Sequence, residues 1–351
     1  MEGIQTYLKQ AVDESCSDLF VSAGKAVAMK RGDVISPAGD ETLTPERAEA
    51  LVRELYTLAG RPMDRYLAHG DDDFSLSVSG LARFRVSAYR QRGTMAAVIR
   101  VVRFGIPDWR EMGIPEEVMR VADITGGLVL VTGPAGGGKS TTLACVVDAI
   151  NCRRSAHIIT IEDPIEYLHR DEKGYISQRE LAVDTEDYAA ALRAGLRQAP
   201  DVILLGELDG PDIIRLAMTA AESGHLVIST LRTMGAVNTV DHIIEQFLPQ
   251  QQQTVRLQLA KVLKTVVSQQ LLPALDGGLA PAFEVMHLDN AVRGMIREGR
   301  TEQIDSVIQG FAMTGMIGMD ESILRLYKAG KISRETALQF AVNEEQLQRK
   351  L

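Results

Sequence analysis

The residues best suited to chemistry lie between Gly133 and Ser140, where Gly-Pro-Ala-Gly-Gly-Gly-Lys-Ser fills every fixed position of G-x-x-x-x-G-K-[ST]. That chemistry is phosphate binding. Glycines let successive backbone N–H groups converge on phosphate oxygens, and the positive end of a following helix adds to the field. In such a loop Lys139 reaches the β- and γ-phosphates and Ser140 offers its hydroxyl to Mg²⁺. Gly133, Pro134, Ala135, Gly136, Gly137, Gly138 and Thr141 complete the cradle. Acids follow at intervals: Glu162, Asp163 and Glu166 in one cluster, and Glu207 after the apolar run Val202-Ile-Leu-Leu-Gly. A carboxylate ending a strand beside a phosphate loop holds Mg²⁺ through water or polarises the attacking water. The alternative for any one of these acids, taken alone, is a solvated loop residue, and two such acids beside a phosphate loop count against it.

The elements that must position these groups are readable around them. Leu128–Val131 is a continuous apolar run, as in a buried parallel strand, and it leads directly into the glycine loop. Leu143, Ala144, Val146, Val147 and Ile150 then recur at helical spacing. Further strands are expected at 128–132, 157–162, 202–206 and 226–230, with helices at about 139–150, 186–198 and 212–222. That alternation predicts an α/β fold with a mostly parallel sheet, whose chemistry belongs at the carboxyl ends of the strands. From Thr254 the chain reads as mostly helical.

The first hundred residues read differently, as a small α+β domain. Ile4, Leu8 and Val12 line one side of a helix over 4–14, and Asp18–Ser22 is a strand ended by Gly24. Residues 26–35 suit a hairpin turning at Gly32-Asp33. Thr44-Pro45-Glu46 starts a helix with a hydroxyl cap, a proline in the first turn and an acid near the dipole's positive end, and Gly60 stops it. From Phe74 to Arg103 a β meander alternates, with Phe84, Val86 and Ala88 on one face and Arg83 and Arg85 on the other. Arg90, Arg92, Arg100 and Arg103 extend the cationic series, which is equally a solvated sheet face. The expected organisation is a first domain over 1–104, a linker over 105–120 punctuated by Gly105, Pro107, Gly113 and Pro115, and a second domain over 121–351.

Composition narrows the function. The 351 residues suit two domains, and Lys+Arg 38 against Asp+Glu 47 leaves a net charge of −9. That acidity argues against wholesale nucleic-acid binding, which calls for a basic face. Cys16, Cys145 and Cys152 make neither a metal spacing nor a disulfide framework, so a reducing compartment is expected. The amino-terminal stretch lacks the apolar core of a signal peptide, and no run approaches the length of a membrane span. Any membrane role is therefore expected to come through a partner.

TGPAGGGKSTTLA, TIEDPIEYLH, QRE at 178–180, LRQAPDVILLGE and AAESGHLVISTL resemble the secretion and type IV pilus ATPases. The resemblance spans nearly the whole chain, from SDLFVSAG and LARFRVSAYRQR to AVRGMIREG at 291–299. It implies a PAS-like first domain, a RecA-like ATPase domain and assembly into a hexameric ring that hydrolyses ATP with Mg²⁺. It further implies that Glu166 is the catalytic glutamate, flanked by Glu162 and Asp163, that Glu207 holds magnesium, and that His225 begins the family's histidine box. Arginines of one subunit's first domain meet the neighbour's nucleotide in this family, and Arg83, Arg85 and Arg100 match them. The family's extension and type II secretion members usually carry a longer amino terminus and a tetracysteine motif. LLPALDGGLAPAFEV stands where that motif would fall, which favours the retraction class.

The retraction class implies a cytoplasmic motor docked at an inner-membrane pilus platform protein, driving twitching motility, with domain closure across the linker as its stroke. Two departures bear on activity. Arg232 stands where the family has its second histidine, and Leu208-Asp209-Gly210 follows Glu207 where the family has Arg-Asp. They leave open an accessory or regulatory subunit that works beside a second retraction ATPase. A lone His225 in an apolar stretch is also a common kind of core residue.

Overall fold

The computed structural model describes residues 3–32, 34–102, 105–310 and 315–351. Asp33 of the expected hairpin turn, Arg103 of the arginine series and Phe104 at the end of the expected first domain lie outside the described residues. The chain divides into two compact units, one of Met1–Gly105 with Glu166–Leu168, the other of Ile106–Ile165 with His169–Leu351.

The first unit has a sheet of β1 (Asp18–Ser22), β2 (Ala28–Arg31), β3 (Val34–Pro37), β4 (Asp71–Val78), β5 (Ala82–Gln91) and β6 (Thr94–Val102). Among the described residues it is six-stranded, ordered β3-β2-β1-β6-β5-β4 and antiparallel throughout. One face takes the apolar side chains: Leu76, Phe84, Val86 and Ile99 are buried against Leu51, Leu55 and Tyr56 of the helix Pro45–Ala59. That helix is bounded as its sequence dictates. The Thr44 hydroxyl accepts the Arg47 amide, and Gly60 closes it in a left-handed conformation. The other sheet face carries Arg83, Arg85 and Ser87, with Arg85 directly opposite Arg100.

In the second unit β7 (Gly127–Thr132), β8 (His157–Glu162), β9 (Tyr175–Glu180), β10 (Val202–Leu205), β11 (Leu226–Leu231), β12 (Leu263–Pro273) and β13 (Leu279–His287) form the sheet. Among the described residues it is seven-stranded, ordered β13-β12-β7-β11-β10-β8-β9, with β13 alone running antiparallel. Strands buried on both faces explain the unbroken apolar runs. Leu128 and Leu130 of β7 face a layer that includes Ile214, Met218 and Ile243, while Val129 and Val131 face Val146, Val147 and Ile150 of the helix Lys139–Arg153. The expected linker adds Ile114, Val118 and Met119 to that second layer, and Val121 just after it joins them. No helix among the described residues is long and apolar enough to cross a membrane.

The helical tail is interrupted. Its first residues belong to the helix Pro249–Val262, but β12 and β13 then occupy 263–287 as a hairpin, and helices resume at Asn290. Ser268, Gln269 and Gln270 interrupt the apolar character of β12, yet all three are buried. β9 is also absent from the sequence expectation; its residues YISQRE are mostly polar, and it lies at the sheet edge. The helix expected over 186–198 is shorter, Tyr188–Gly195, with the Asp187 carboxylate accepting the Ala190 amide as its cap.

Asp72 is a buried charge in the first unit. The Asp72 side chain is fully enclosed; Arg61 forks onto it at 3.0 and 2.9 Å, and the Tyr56 hydroxyl donates to it at 3.2 Å. Burial, and then the Asp72 charge, push the Tyr56 phenol up. Removing one member of such a pair leaves the other uncompensated, so Asp72→Ala should destabilise the protein by about 3 kcal/mol. In urea unfolding this reads as a lower midpoint with an unchanged slope, and an unaltered midpoint would refute it.

Candidate nucleotide site

The phosphate loop joins β7 to the helix Lys139–Arg153, and its shape is set by the strand beneath it. Ser268 of β12 pairs with Thr132, the last residue of β7, and β12 continues through Gln269 to Pro273 past that end. Gln269 therefore underlies the loop. A Cβ at Gly133 would fall on the Gln269 carbonyl oxygen, closer than side chains approach, and one at Gly138 would come within 2.7 Å of Gln269 Nε2. Both residues also have positive φ, +143° and +82°, so glycine is required there on two counts. Gln269 Oε1 accepts the buried Thr142 hydroxyl at 2.7 Å, tying the first helical turn to β12. Gln270, the next residue, donates to the Phe340 carbonyl at 3.2 Å.

Within the loop, the Gly137 amide donates to the Pro134 carbonyl. Lys139 Nζ donates to the carbonyls of Gly133 and Pro134, both at 2.8 Å, so its ammonium lies over the loop itself. Ser140 and Thr141 follow in the first helical turn, partly exposed, while Pro134, Ala135 and Gly136 are exposed.

Parallel pairing brings the acids to this same edge of the sheet. Glu162 ends β8, and Gly206-Glu207 follows β10, whose Leu205 pairs with Ile161. Thr160 Oγ1 donates to Glu162 Oε1 at 2.6 Å. Asp163 and Pro164 are joined by a cis peptide, and Asp163 and Glu166 are exposed. Glu207 is engaged by Arg232, which follows β11: Nε lies 2.8 Å from Oε1 and Nη2 donates to Oε2 at 2.9 Å. The fork raises the Arg232 pKa, its hydrogen bond with Glu207 first among the causes. Arg232 thus belongs to the acid edge.

His225 does not. It precedes Leu226, which pairs with Gly127 at the start of β7, so the length of β11 separates it from the loop end, roughly 20 Å at strand rise. Its ring Nδ1 lies 3.0 Å from the Ala220 carbonyl and 3.4 Å from the Ser223 hydroxyl, and its own carbonyl accepts the Gly127 amide. The residue that the resemblance makes the start of the histidine box therefore stands at the far end of the strand: apolar residues after it carry the chain to the site, and the residue arriving there is Arg232. In the first unit Arg83, Arg85 and Arg100 share the solvent-facing side of the sheet. Arg100 pairs with Asp18 at 3.0 Å, and Arg83 Nη1 donates to Ser77 Oγ at 3.5 Å.

Three further residues belong to the site. Gln269 was hidden because its partners are distant in sequence. Tyr188 lies under Gly206, where a Cβ would come within 2.5 Å of its hydroxyl. Burial pushes that phenol up, helped by the charges of Asp163, Glu207 and Glu162, so it stays protonated among three acids. Its only sequence signal is the Asp187 cap before it. Glu180, 3 % exposed, accepts the Ile165 amide at 3.0 Å. Just beyond, burial pushes His169 down to about 4, so it is neutral at pH 7.

The donors suitable for a divalent ion here are oxygens, the Ser140 hydroxyl and the Glu207 carboxylate. Magnesium carried by a nucleotide needs one or two such protein ligands besides phosphate and water, so this set fits it. Arg232 competes for the same carboxylate oxygens. No cluster of three or more histidine, cysteine or acidic side chains suited to a metal occurs among the described residues.

A family model described as type II/IV secretion system protein matches residues 2–336. The type IV pilus retraction ATPase PilT of Pseudomonas aeruginosa is 39% identical over 335 residues, covering 95% of this chain and 96% of that protein. The type IV pilus ATPase PilU of the same organism is 34% identical, covering 95% of this chain and 87% of its own length. Among solved structures, the pilus retraction motor PilT with bound ADP matches at a TM-score of 0.92 and 37% identity, covering 99% of this chain and 100% of that one.

Gln269→Ala tests the support beneath the loop. It removes the acceptor of a buried hydroxyl, a loss of about 1–3 kcal/mol, and frees the loop floor. ADP affinity measured by calorimetry should fall about tenfold, the equivalent of 1.4 kcal/mol. Unchanged affinity would show that the loop holds its shape without this side chain.

Proposed function

The chain belongs to the type II/IV secretion system protein family, and on that premise we propose that it is a Mg²⁺-dependent ATPase motor of type IV pilus retraction. It works as a hexameric ring at the cytoplasmic face of an inner-membrane platform protein. The observation that carries the reading is the phosphate loop at the same sheet edge as Glu162, Glu207 and Arg232. Identity of 39% to a retraction ATPase across nearly the full length of both chains supports the pilus role.

In this mechanism the loop amides and Lys139 hold the β- and γ-phosphates, and Ser140 and Glu207 hold the metal. Magnesium, when bound, offsets phosphate charge. Glu166 accepts the proton of the attacking water, and Glu162 and Asp163 shape the acidic surroundings. The Tyr188 hydroxyl, kept protonated, is a donor rather than a charge among these acids. Arg83, Arg85 or Arg100 of a neighbouring subunit supplies the positive charge at the γ-phosphate, an effect worth about 10³–10⁵ in rate where arginine acts in trans. The first and second domains are assigned to 1–104 and 121–351, with 105–120 between them.

A second reading is an accessory subunit of reduced turnover beside another retraction ATPase. The Arg232–Glu207 fork favours it, because arginine keeps its charge at every working pH and engages both oxygens of the metal-holding carboxylate. Against it stands the exposure of Arg232, 72% at the side chain; a pair so open to water is weak.

Lys139→Ala and Glu166→Gln should both abolish hydrolysis, by different routes. The first loses a phosphate-facing cation and should weaken nucleotide binding; the second should keep Mg·ATP bound while the water loses its base. Steady-state turnover and nucleotide affinity of the two variants decide this. Wild-type turnover no higher than that of Lys139→Ala would overturn the motor reading in favour of the accessory one.

Arg232 gives a second test. Arg232→Ala should lower the Mg²⁺ concentration for half-maximal turnover a few-fold. Arg232→His should add an inflection to the pH–rate profile near 6.5: below it a charged imidazole holds Glu207, and above it the carboxylate is released. Superimposable profiles and equal metal dependence for wild type and both variants would make the fork a surface pair without a role.

A further inference from the structure

β9 faces the acid loop with alternate residues, as strand geometry requires. Its register sets Gln178 opposite Thr160 and Glu180 opposite Glu162. Glu180 Oε2 accepts the Ile165 amide at 3.0 Å, and Gln178 Oε1 accepts the His169 amide at 2.9 Å. These amides belong to the residues immediately flanking Glu166–Leu168. Each is a bond from a side chain of β9 to backbone, so the two ends of the tripeptide are held by one rigid strand.

The two anchors are themselves fixed. Gln178 Nε2 donates to Glu162 Oε1 at 3.4 Å, joining one anchor to the acid that ends β8. The Glu180 amide donates to Asp184 Oδ2 at 2.8 Å, and the Leu181 amide donates to the Glu162 carbonyl at 2.9 Å. A carboxylate as buried as that of Glu180 is costly to keep in place unless hydrogen bonds satisfy it. Here one of its oxygens is spent on a backbone amide, which suits a role in geometry.

We infer that Gln178 and Glu180 are positioning residues that clamp both shoulders of the Glu166 loop and so set where the Glu166 carboxylate stands. The inference rests on the proposed role of Glu166 as the base. Neither side chain touches the phosphate loop through any of these bonds, so nucleotide binding does not depend on them. Turnover does, because a displacement of about 1 Å at a catalytic group costs on the order of 10² in rate.

The test uses the full chain with Gln178→Ala, Glu180→Ala and the conservative Glu180→Gln, which keeps an oxygen for the Ile165 amide. The alanine variants should lose roughly 10- to 100-fold in kcat with KM for ATP and affinity for ADP unchanged, and Glu180→Gln should recover most of the loss. Amide hydrogen exchange at Ile165 and His169 should quicken in the alanine variants. In a Glu166→Gln background, Glu180→Ala should cost nothing more. Wild-type kcat and exchange in both alanine variants, a parallel fall in ADP affinity, or a further loss in the Glu166→Gln background would each overturn the clamp. Should Glu180→Ala fail to fold, Gln178→Ala, at a half-buried position, carries the same test. If Glu166→Gln keeps its turnover, the base assignment fails by itself, and exchange at Ile165 and His169 still decides whether the clamp exists.

Discussion

Gly133 has no side chain, and the Gln269 carbonyl occupies the place where one would begin. This close approach is the constraint on which the nucleotide site depends. β12 overruns β7 in the parallel pairing, so its backbone becomes a floor for the loop and its Gln269 side chain reaches the first turn of the helix at Thr142. Backbone donors that must converge on phosphate cannot be steered by side chains of their own, because the glycines have none. Their direction comes from an outside surface, and that surface is a strand more than a hundred residues further along the chain.

The rest of the site follows from strand direction. β7, β8, β10 and β11 run parallel, so Gly133, Glu162, Glu207 and Arg232 emerge on one edge, whereas His225, at the start of β11, emerges on the other. At the acid edge the negative groups are neutralised in different ways. Glu207 meets a guanidinium, Glu162 meets a hydroxyl and an amide, and Tyr188 stays protonated beside them because burial and their charges disfavour its ionised form. The outcome is an acid edge at which Glu207 is tied to a fixed positive charge by a fork.

Local signals were legible from the sequence, and long-range ones were not. The Thr44 cap and Gly60 stop, the alternation of Phe84 and Val86 with Arg83 and Arg85, and the apolar runs before Gly133 and Glu207 each act within a few residues, and each element formed where its pattern indicated. β12 escaped because Ser268, Gln269 and Gln270 look solvated in a linear reading, while in the fold each is buried and finds a hydrogen-bond partner. β9 escaped because an edge strand needs little apolar character on its open side. His225 drew attention by residue type, but its end of the strand is a property of sheet register, which no short motif states.

Gln269 and Gln270 are neighbours on one strand and so face opposite ways. The first holds the helix that follows the phosphate loop, and the second holds the Phe340 carbonyl among the closing helices. A strand is stiff along its axis, and a shift that suits one partner is felt by the other. Linkage then runs in both directions with equal magnitude. To whatever extent a ligand at the loop steadies β12, it steadies the seat of the closing helices, and a load borne by those helices returns to the loop as a change in how firmly it grips its ligand.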